Sequence, residues 1–272
     1  MPQQHKLGIW VEVHGVRGST PREVGAWMWV GPNGLFAGTV GGGHLEFDAI
    51  AQAQNWIACH DTIFDEHLHL PFTHTYKLGP NLGQCCGGEV VLQFTPLAWD
   101  KGLGMLQQRE YSQRLPVTLF GAGHIGHALI AMGQHLPIDW WWIDSREGIF
   151  PSSLSDSVRC EHSTPVHDAV DDAVQGRHVL IMSFSHAEDF DVLERILLLK
   201  QSGKAVLSIG LIGSSTKWSS FRSRLLRKGY SAEHVNSVRC PVGWSGLHSK
   251  EPAVVALSVL AELMALNPST GN

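Results

Sequence analysis

Six residues, Gly121-Ala122-Gly123-His124-Ile125-Gly126, constrain this chain more than any other stretch. They follow a short apolar run, Val117-Thr118-Leu119-Phe120, and lead into residues Ile125 to Leu136, whose pattern fits a helix. Glycines so spaced let a strand turn tightly into a helix and let an anion approach the first helical amides. A second apolar run, Ile138 to Ile143, ends at Asp144, about twenty residues on, where an acid that binds a ribose is expected. Strand, glycine turn, helix, strand and acid are in register.

The same alternation continues downstream. His178 to Met182 and Ala205 to Ile209 read as further strands, with helices at Ala187 to Lys200 and Ser214 to Lys228. Such alternation implies a parallel sheet covered by helices on both faces. Glu251 to Leu266 is apolar enough to be a well-buried helix. The first hundred residues follow another rule. Leu7 to Val13 alternates as a strand, and Ala26 to Val30 meets the turn Gly31-Pro32-Asn33-Gly34 and returns at Leu35 to Ala37 as a hairpin. His44 to Cys59 fits a helix and Glu89 to Phe94 a strand, with Ala98 to Leu115 a more polar helix beyond. The fold class is therefore α/β: a small N-terminal α+β domain, residues 1–97, a helical linker, 98–115, a Rossmann-like doubly wound parallel-sheet domain, 116–240, and a C-terminal segment and helix, 241–272.

Composition excludes several classes. The 272 residues are 43% hydrophobic and 17% charged, enough for a packed core. A net charge of −5 with no basic block gives no support for nucleic-acid binding. Neither a membrane-spanning apolar run nor a signal-peptide pattern is present, so a cytoplasmic protein without a membrane partner is expected. Five cysteines, an odd number, do not form a disulfide framework. His67 and His69 would share one face of a strand, but no cysteine or carboxylate spacing completes a zinc site. No Gly-X-Ser-X-Gly elbow suggests a serine hydrolase.

Several candidate sites remain. Gly121, Gly123 and Gly126 would cradle a phosphate, with Asp144 orienting a hydroxyl or amide. Ser183-Phe184-Ser185-His186 and Gly210-Leu211-Ile212-Gly213-Ser214 follow later strands and should reach the same sheet edge, which makes Gly213 a further candidate and His124 and His186 the available bases. Lys217, Arg222 and Arg224 lie on the helix after Gly213, where they form either an anion site or a solvated basic face. In the first domain Arg22, within Ser19-Thr20-Pro21-Arg22, and Gly42 and Gly43, within Gly38-Thr39-Val40-Gly41-Gly42-Gly43, suit an oxyanion. Most distinctive is Leu82-Gly83-Gln84-Cys85-Cys86-Gly87-Gly88, where adjacent thiols among glycines suit a soft metal or sulfur transfer. Cys59, Cys160 and Cys240 lack such surroundings and read as structural.

These blocks, in this order, resemble the XdhC family, the xanthine dehydrogenase accessory proteins, over nearly the whole chain. The resemblance is carried by Arg17-Gly18-Ser19-Thr20-Pro21-Arg22, the block from Gly38 to Glu46, Leu82 to Gly88, and the Gly121 to Gly126 loop. It continues through Asp144-Ser145-Arg146 before Phe150-Pro151, Gly210 to Ser214, Cys240-Pro241-Val242-Gly243 and Ser249-Lys250-Glu251-Pro252-Ala253. It implies a protein that binds the molybdenum cofactor, shelters it during sulfuration and delivers it to the large subunit of xanthine dehydrogenase. It further implies a cysteine desulfurase as a partner, a homo-oligomer, and no catalysis by the chain itself. Cys86 would be the principal thiol facing molybdenum, with Cys85 second. The chain departs from the family pattern at Ser183 to His186, where a threonine-histidine pair is expected. The alternative is a nicotinamide-dependent oxidoreductase whose Rossmann domain holds NAD(P); it accounts for Gly121 and Asp144 but leaves Cys85 and Cys86 unused.

Overall fold

A computed structural model describes residues 7–60, 70–79, 87–112, 114–247 and 249–266. The chain divides into two compact units, Met1–Glu110 and Tyr111–Asn272.

The first unit is an antiparallel sheet with helices. Its strands are β1 (Leu7–Arg17), β2 (Trp27–Gly31), β3 (Gly34–Gly38), β4 (Phe72–Lys77) and β5 (Glu89–Ala98), in the order β3-β2-β1-β5-β4. Alternation along β1 sorts its side chains. Leu7, Ile9, Val11 and Val13 join Leu45, Ala49, Ala53 and Ile57 of helix α1 (Gly43–His60) in one core. Trp10 turns to the other face and joins Trp29 and Leu106, the last from helix α2 (Trp99–Ser112). Each such fully buried side chain contributes roughly 1.5–3 kcal/mol.

Helix α2 is shorter than the expected Ala98 to Leu115. Ala98 is still a strand residue, paired with Leu7, and Leu115 already opens the next strand, its amide bonded to Pro137. The edge strand β4 has no counterpart in the sequence reading; of its six residues only Tyr76 is buried, so its sequence carries little sign of a core.

The second unit is a six-stranded parallel sheet of β6 (Leu115–Phe120), β7 (Ile138–Asp144), β8 (Val158–His162), β9 (His178–Ile181), β10 (Ser208–Leu211) and β11 (Val238–Arg239). The spatial order is β11-β10-β9-β6-β7-β8. Numbered from β6 this is 3-2-1-4-5-6, the dinucleotide-fold order, so the chain reverses direction between β6 and β9. Helix α3 (His124–Gly133) and the C-terminal α8 (Pro252–Leu266) cover one face, where Leu129 and Ile130 meet Val259, Leu260 and Leu263. The other face carries a 3-10 turn (Val166–Ala169), α4 (Val170–Ala173), α5 (His186–Gln201), α6 (Ser215–Arg227) and α7 (Ala232–Asn236), with Phe190, Leu193, Ile196 and Leu225 in its core.

The strand expected at Ala205 to Ile209 starts later. Ala205 and Leu207 bond to Gly176 and Arg177, the turn before β9, and the ladder begins only at Ser208. Helix α3 stops at Gly133 rather than Leu136, capped at Gln134. Trp140 and Trp142 are wholly buried, so the tryptophan run in β7 is packing. No helix among the described residues is long and apolar enough to cross a membrane.

Candidate functional site

Each unit brings sequence-distant residues together, and the two places are built differently.

In the second unit the carboxyl ends of β6, β7, β9 and β10 form one edge. Gly121 leaves β6 with φ +116°, and a Cβ there would stand 2.0 Å from the Met182 carbonyl oxygen. Its amide donates to Ile143 O, and Trp142 Nε1 donates to its carbonyl at 3.0 Å. Gly126 is equally constrained, since a Cβ would lie 2.4 Å from Gly121 O. Gly123 is not: its φ is −80°, and nothing lies within 4 Å of a Cβ there. It caps α3 without a side-chain acceptor for the first amides.

Asp144 ends β7 as expected, yet its carboxylate points inward and is 1% exposed. Oδ2 accepts from Ala122 N at 2.5 Å and Arg146 Nη2 at 2.9 Å; Oδ1 accepts from Arg146 N and Nε, both at 2.9 Å. Burial works against the charge, but the Arg146 guanidinium and the two amides outweigh it and hold the carboxyl below the usual aspartate range. Asp144 therefore clamps the glycine turn to β7. The group presented outward at this strand end is Arg146, whose guanidinium lies 4.9 Å from the centroid of the exposed Phe184 ring. Arg146 stood in a quoted block of the sequence, but only the fold gives it this place.

The turns after β9 and β10 are tied to each other. Ser185 caps α5 by accepting from Glu188 N, and Ser214 caps α6 by accepting from Lys217 N. Asp189 Oδ1 accepts from Ser183 N at 2.7 Å, and Asp189 Oδ2 receives Lys217 Nζ at 2.5 Å. Lys217 Nζ also donates to Ile212 O at 2.8 Å. This pair is buried, with side chains 8% and 3% exposed, so Lys217 belongs to no solvated basic face. Arg224 packs over Phe190 and Arg222 donates to Asn236, so neither forms an anion site with it. Gly213 has a structural reason to be glycine: a Cβ would meet Lys217 Cδ at 2.6 Å. His124 and His186 are both exposed on this edge.

Two clefts open on the edge and share Ile212 and Gly213. One, of about 820 Å³, is bounded by Ile125, Val242, Trp244 and Lys250 among others. The other, about 330 Å³, lies between the Ser183–His186 turn and Lys217. Ser183 Oγ is buried there without a hydrogen-bond partner. Trp244, 57% exposed, carried no motif and was missed by sequence reasoning.

In the first unit three of the quoted blocks meet. A Cβ on Gly41 would stand 2.5 Å from Pro21 Cγ and 3.6 Å from Arg22 Cγ, which puts the Arg22 segment against the glycine run. A Cβ on Gly88 would stand 2.3 Å from Ser19 O, so the glycine pair after Cys86 rests on the same segment. Leu78 N donates to Gly88 O at 2.8 Å, closing the neck of the intervening loop. Cys85 and Cys86 themselves lie outside the described residues, as do His67 and His69.

The glycine run is partly filled from within. Glu46 Oε2 accepts from Val40 N at 3.0 Å and Gly42 N at 3.2 Å, and Thr39 Oγ1 donates to the same oxygen. A carboxylate thus occupies two amides that an external anion would need. Gly43 begins α1, and Arg22, 39% exposed, pairs only loosely with Glu23 at 3.4 Å. Burial raises the thiols of Cys160 and Cys240, as suits structural cysteines, while Cys59 is exposed.

Comparison with known proteins covers both units. Residues 117–263 match the model of the XdhC Rossmann domain, and residues 3–65 match that of the XdhC and CoxI family. No curated protein matches. A solved structure, a xanthine dehydrogenase from Bacillus halodurans, superposes with a TM-score of 0.77 at 17% identity, over 98% of this chain and 93% of that one. That likeness is one of fold. A Rossmann-fold NAD(P)-binding family protein from Shigella flexneri gives a TM-score of 0.32 at 16% identity, over 43% of this chain and 63% of that one.

Proposed function

The chain belongs to the XdhC family, and on that premise we propose that it is an accessory protein of xanthine dehydrogenase which binds the molybdenum cofactor, shelters it during sulfuration and delivers it to the large subunit. A cysteine desulfurase supplies the sulfur, and the working form is a homo-oligomer in the cytoplasm.

The observation that carries this reading is the meeting of the Arg17–Arg22 segment, the Gly38–Gly43 run and the Gly87–Gly88 pair in the first unit. The Gly87–Gly88 pair, which follows the two cysteines in sequence, thus rests on the segment that ends at the part-exposed Arg22. The chemistry of that donor set fits the cargo, which presents a phosphate, a hydrogen-bonding pterin and a molybdenum held by sulfur. A thiolate suits a soft, sulfur-bound metal, and a guanidinium suits an oxyanion. Cys86 contacts the metal, Cys85 assists, and Arg22 neutralises the anionic end, with Gly43 lining the helix entry.

A carrier must also release its load. A single thiolate contact gives modest affinity, where a closed cage would retain the metal. No proton need be abstracted and no nucleophile delivered, so the chain acts by holding and passing on rather than by turnover.

The test is metal and pterin analysis of protein purified from a cofactor-competent host. Molybdenum and pterin should co-purify and be lost in Cys86→Ala while the far-UV spectrum is unchanged. Retention in a Cys85→Ala, Cys86→Ala double variant would overturn the thiol assignment. Added to cofactor-free xanthine dehydrogenase with cofactor and a sulfur source, the protein should restore activity, about one site per cofactor delivered. Alone with NAD(P)H, xanthine or small carbonyl compounds it should be silent; steady turnover lost on changing His124 or His186 would favour an oxidoreductase.

A further inference from the structure

We infer that the two adjoining clefts beyond β9 and β10 form one site for an aromatic acid, a flat ring that carries a tethered carboxylate or phosphate. The anionic group sits between the starts of α5 and α6, and the ring lies on Trp244. This goes beyond the cargo reading and does not rest on it.

The starting observation is a buried hydroxyl with nothing to bond. Ser183 Oγ is buried in the turn that lines the smaller cleft and has no hydrogen-bond partner. Native structures keep few such groups, because burying a polar atom unpaired is costly. The backbone of the same turn is satisfied: Ser183 N donates to Asp189 Oδ1 and Phe184 N to Glu188 Oε2. A ligand atom is what the hydroxyl lacks.

The surroundings of that hydroxyl are positive. Lys217, its side chain 8% exposed, lines the same cleft. An ammonium has three N–H groups, of which Asp189 Oδ2 and Ile212 O take two. The third has no acceptor among the described residues. Ser185 and Ser214 also line the cleft, and they mark the starts of α5 and α6, helices of 16 and 13 residues. Both helix dipoles therefore present their positive ends here. Each serine takes a single amide, and a helix start has several without an internal partner. A carboxylate or a phosphate, with several acceptor oxygens on one centre, answers these donors together.

The larger cleft has the opposite character and meets the smaller one at Ile212 and Gly213. Its volume of about 820 Å³ is walled by Ile125, Ile212, Val242 and Val255. Trp244 is 57% exposed there, yet its backbone is fixed. Its amide donates to Ser258 O, and Ser258 Oγ donates to its carbonyl, both at 3.0 Å. An indole anchored through its backbone and open to solvent beside aliphatic walls suits a flat ring. Lys250 lines this cleft too, but it is exposed, where water screens its charge.

A free anion engages the smaller cleft alone and an uncharged ring the larger one alone. A ring with a tethered acid engages both. The anion position lies between the turns after β9 and β10, apart from the glycine turn that follows β6.

The experiment is calorimetric titration of the full-length protein. GMP and FMN test a phosphate head and pterin-6-carboxylate a carboxylate head; guanosine, riboflavin and pterin are the uncharged counterparts, and inorganic phosphate and acetate the free anions. An acid should bind at one per chain, about tenfold or more tightly than its uncharged counterpart and its free anion, and the tighter arm identifies the head group. Ser183→Ala is the decisive variant. Removing an unpaired buried hydroxyl should keep or raise the melting temperature, yet weaken the acid about tenfold and leave the uncharged counterpart unchanged. A serine with a merely structural role would not separate those readings. Trp244→Ala should weaken acid and counterpart alike, about tenfold, and serves if Ser183→Ala fails to fold. Failure of every acid to bind overturns the inference, as do counterparts that bind as tightly and binding unaltered in Ser183→Ala. A larger loss in Lys250→Ala or Gly123→Asp than in Ser183→Ala puts the anion elsewhere and also overturns it. The Cys85→Ala, Cys86→Ala variant should bind the acid as the parent does. Absence of acid binding with molybdenum retained thus rejects this inference alone, and the converse rejects the cargo reading alone.

Discussion

Gly121 and Gly123 stand two residues apart and answer to different constraints. Replacing Gly121 by alanine forces a positive φ on a residue with a Cβ and drives that Cβ into Met182 O. The strain is about 1–2 kcal/mol and the overpacking another 1–3 kcal/mol, so Gly121→Ala should cost roughly 3 kcal/mol in urea unfolding. A loss under about 0.5 kcal/mol, the size of an ordinary surface change, would show that the turn can relax. The turn itself was legible in the sequence because Gly121, at positive φ, and Gly126, packed on Gly121 O, answer to local backbone geometry. The partners of Asp144 were not. Its position could be read from spacing, but the four donors that fill it come from Ala122 and Arg146 in a folded turn. Gly213 shows the same limit: the residue could be read as a site glycine, whereas its need is room for a buried lysine side chain.

Among the elements, α5 and α6 are joined at their starts by Lys217 and Asp189. Breaking a buried pair by removing one partner costs about 3–5 kcal/mol, because the other charge is left uncompensated. Lys217→Met should therefore destabilise the protein by that order. Lys217→Met with Asp189→Leu should cost less than the two separate losses added together, since no lone charge remains. Part of the loss should persist, because Asp189 also accepts from Ser183 N. A double-mutant cycle read by thermal unfolding measures the coupling, and additive losses would mean that the pair does not hold the two turns. Why the sequence revealed some elements and concealed others follows from burial. Strands buried on both faces, such as Val117 to Phe120 and His178 to Ile181, stand out as apolar runs. Edge strands β4 and β8 bury little, and the sequences Phe72–Lys77 and Val158–His162 accordingly look like loop. The two residues of β11 are too few to leave any pattern.

Across the whole molecule, the buried groups whose protonation favours unfolding are unevenly shared. In the second unit burial pushes the His178 imidazole below its ordinary value, and Asp144 is held below the aspartate range. In the first unit the Arg109 hydrogen bond lowers Glu12, but that side chain is 32% exposed and solvent weakens the effect. A group whose folded value is depressed supplies stability that is complete above its unfolded value and is lost as pH falls through its folded value. For His178 the loss begins near pH 6.5, and for Asp144 near pH 3.9. Both act in the same direction, because in each case the unfolded chain takes up a proton that the folded unit resists. Acid should accordingly loosen the second unit first. Hydrogen exchange followed from pH 7 downward should show amides of β6, β7 and β9 losing protection before those of β1. His178→Asn, which keeps a hydrogen-bonding group near Ser208 Oγ, should remove the stage that starts near pH 6.5 and leave the later one, carried by Asp144, in place. Earlier loss in β1, or an unchanged first stage in His178→Asn, would place the acid-sensitive groups elsewhere in the chain.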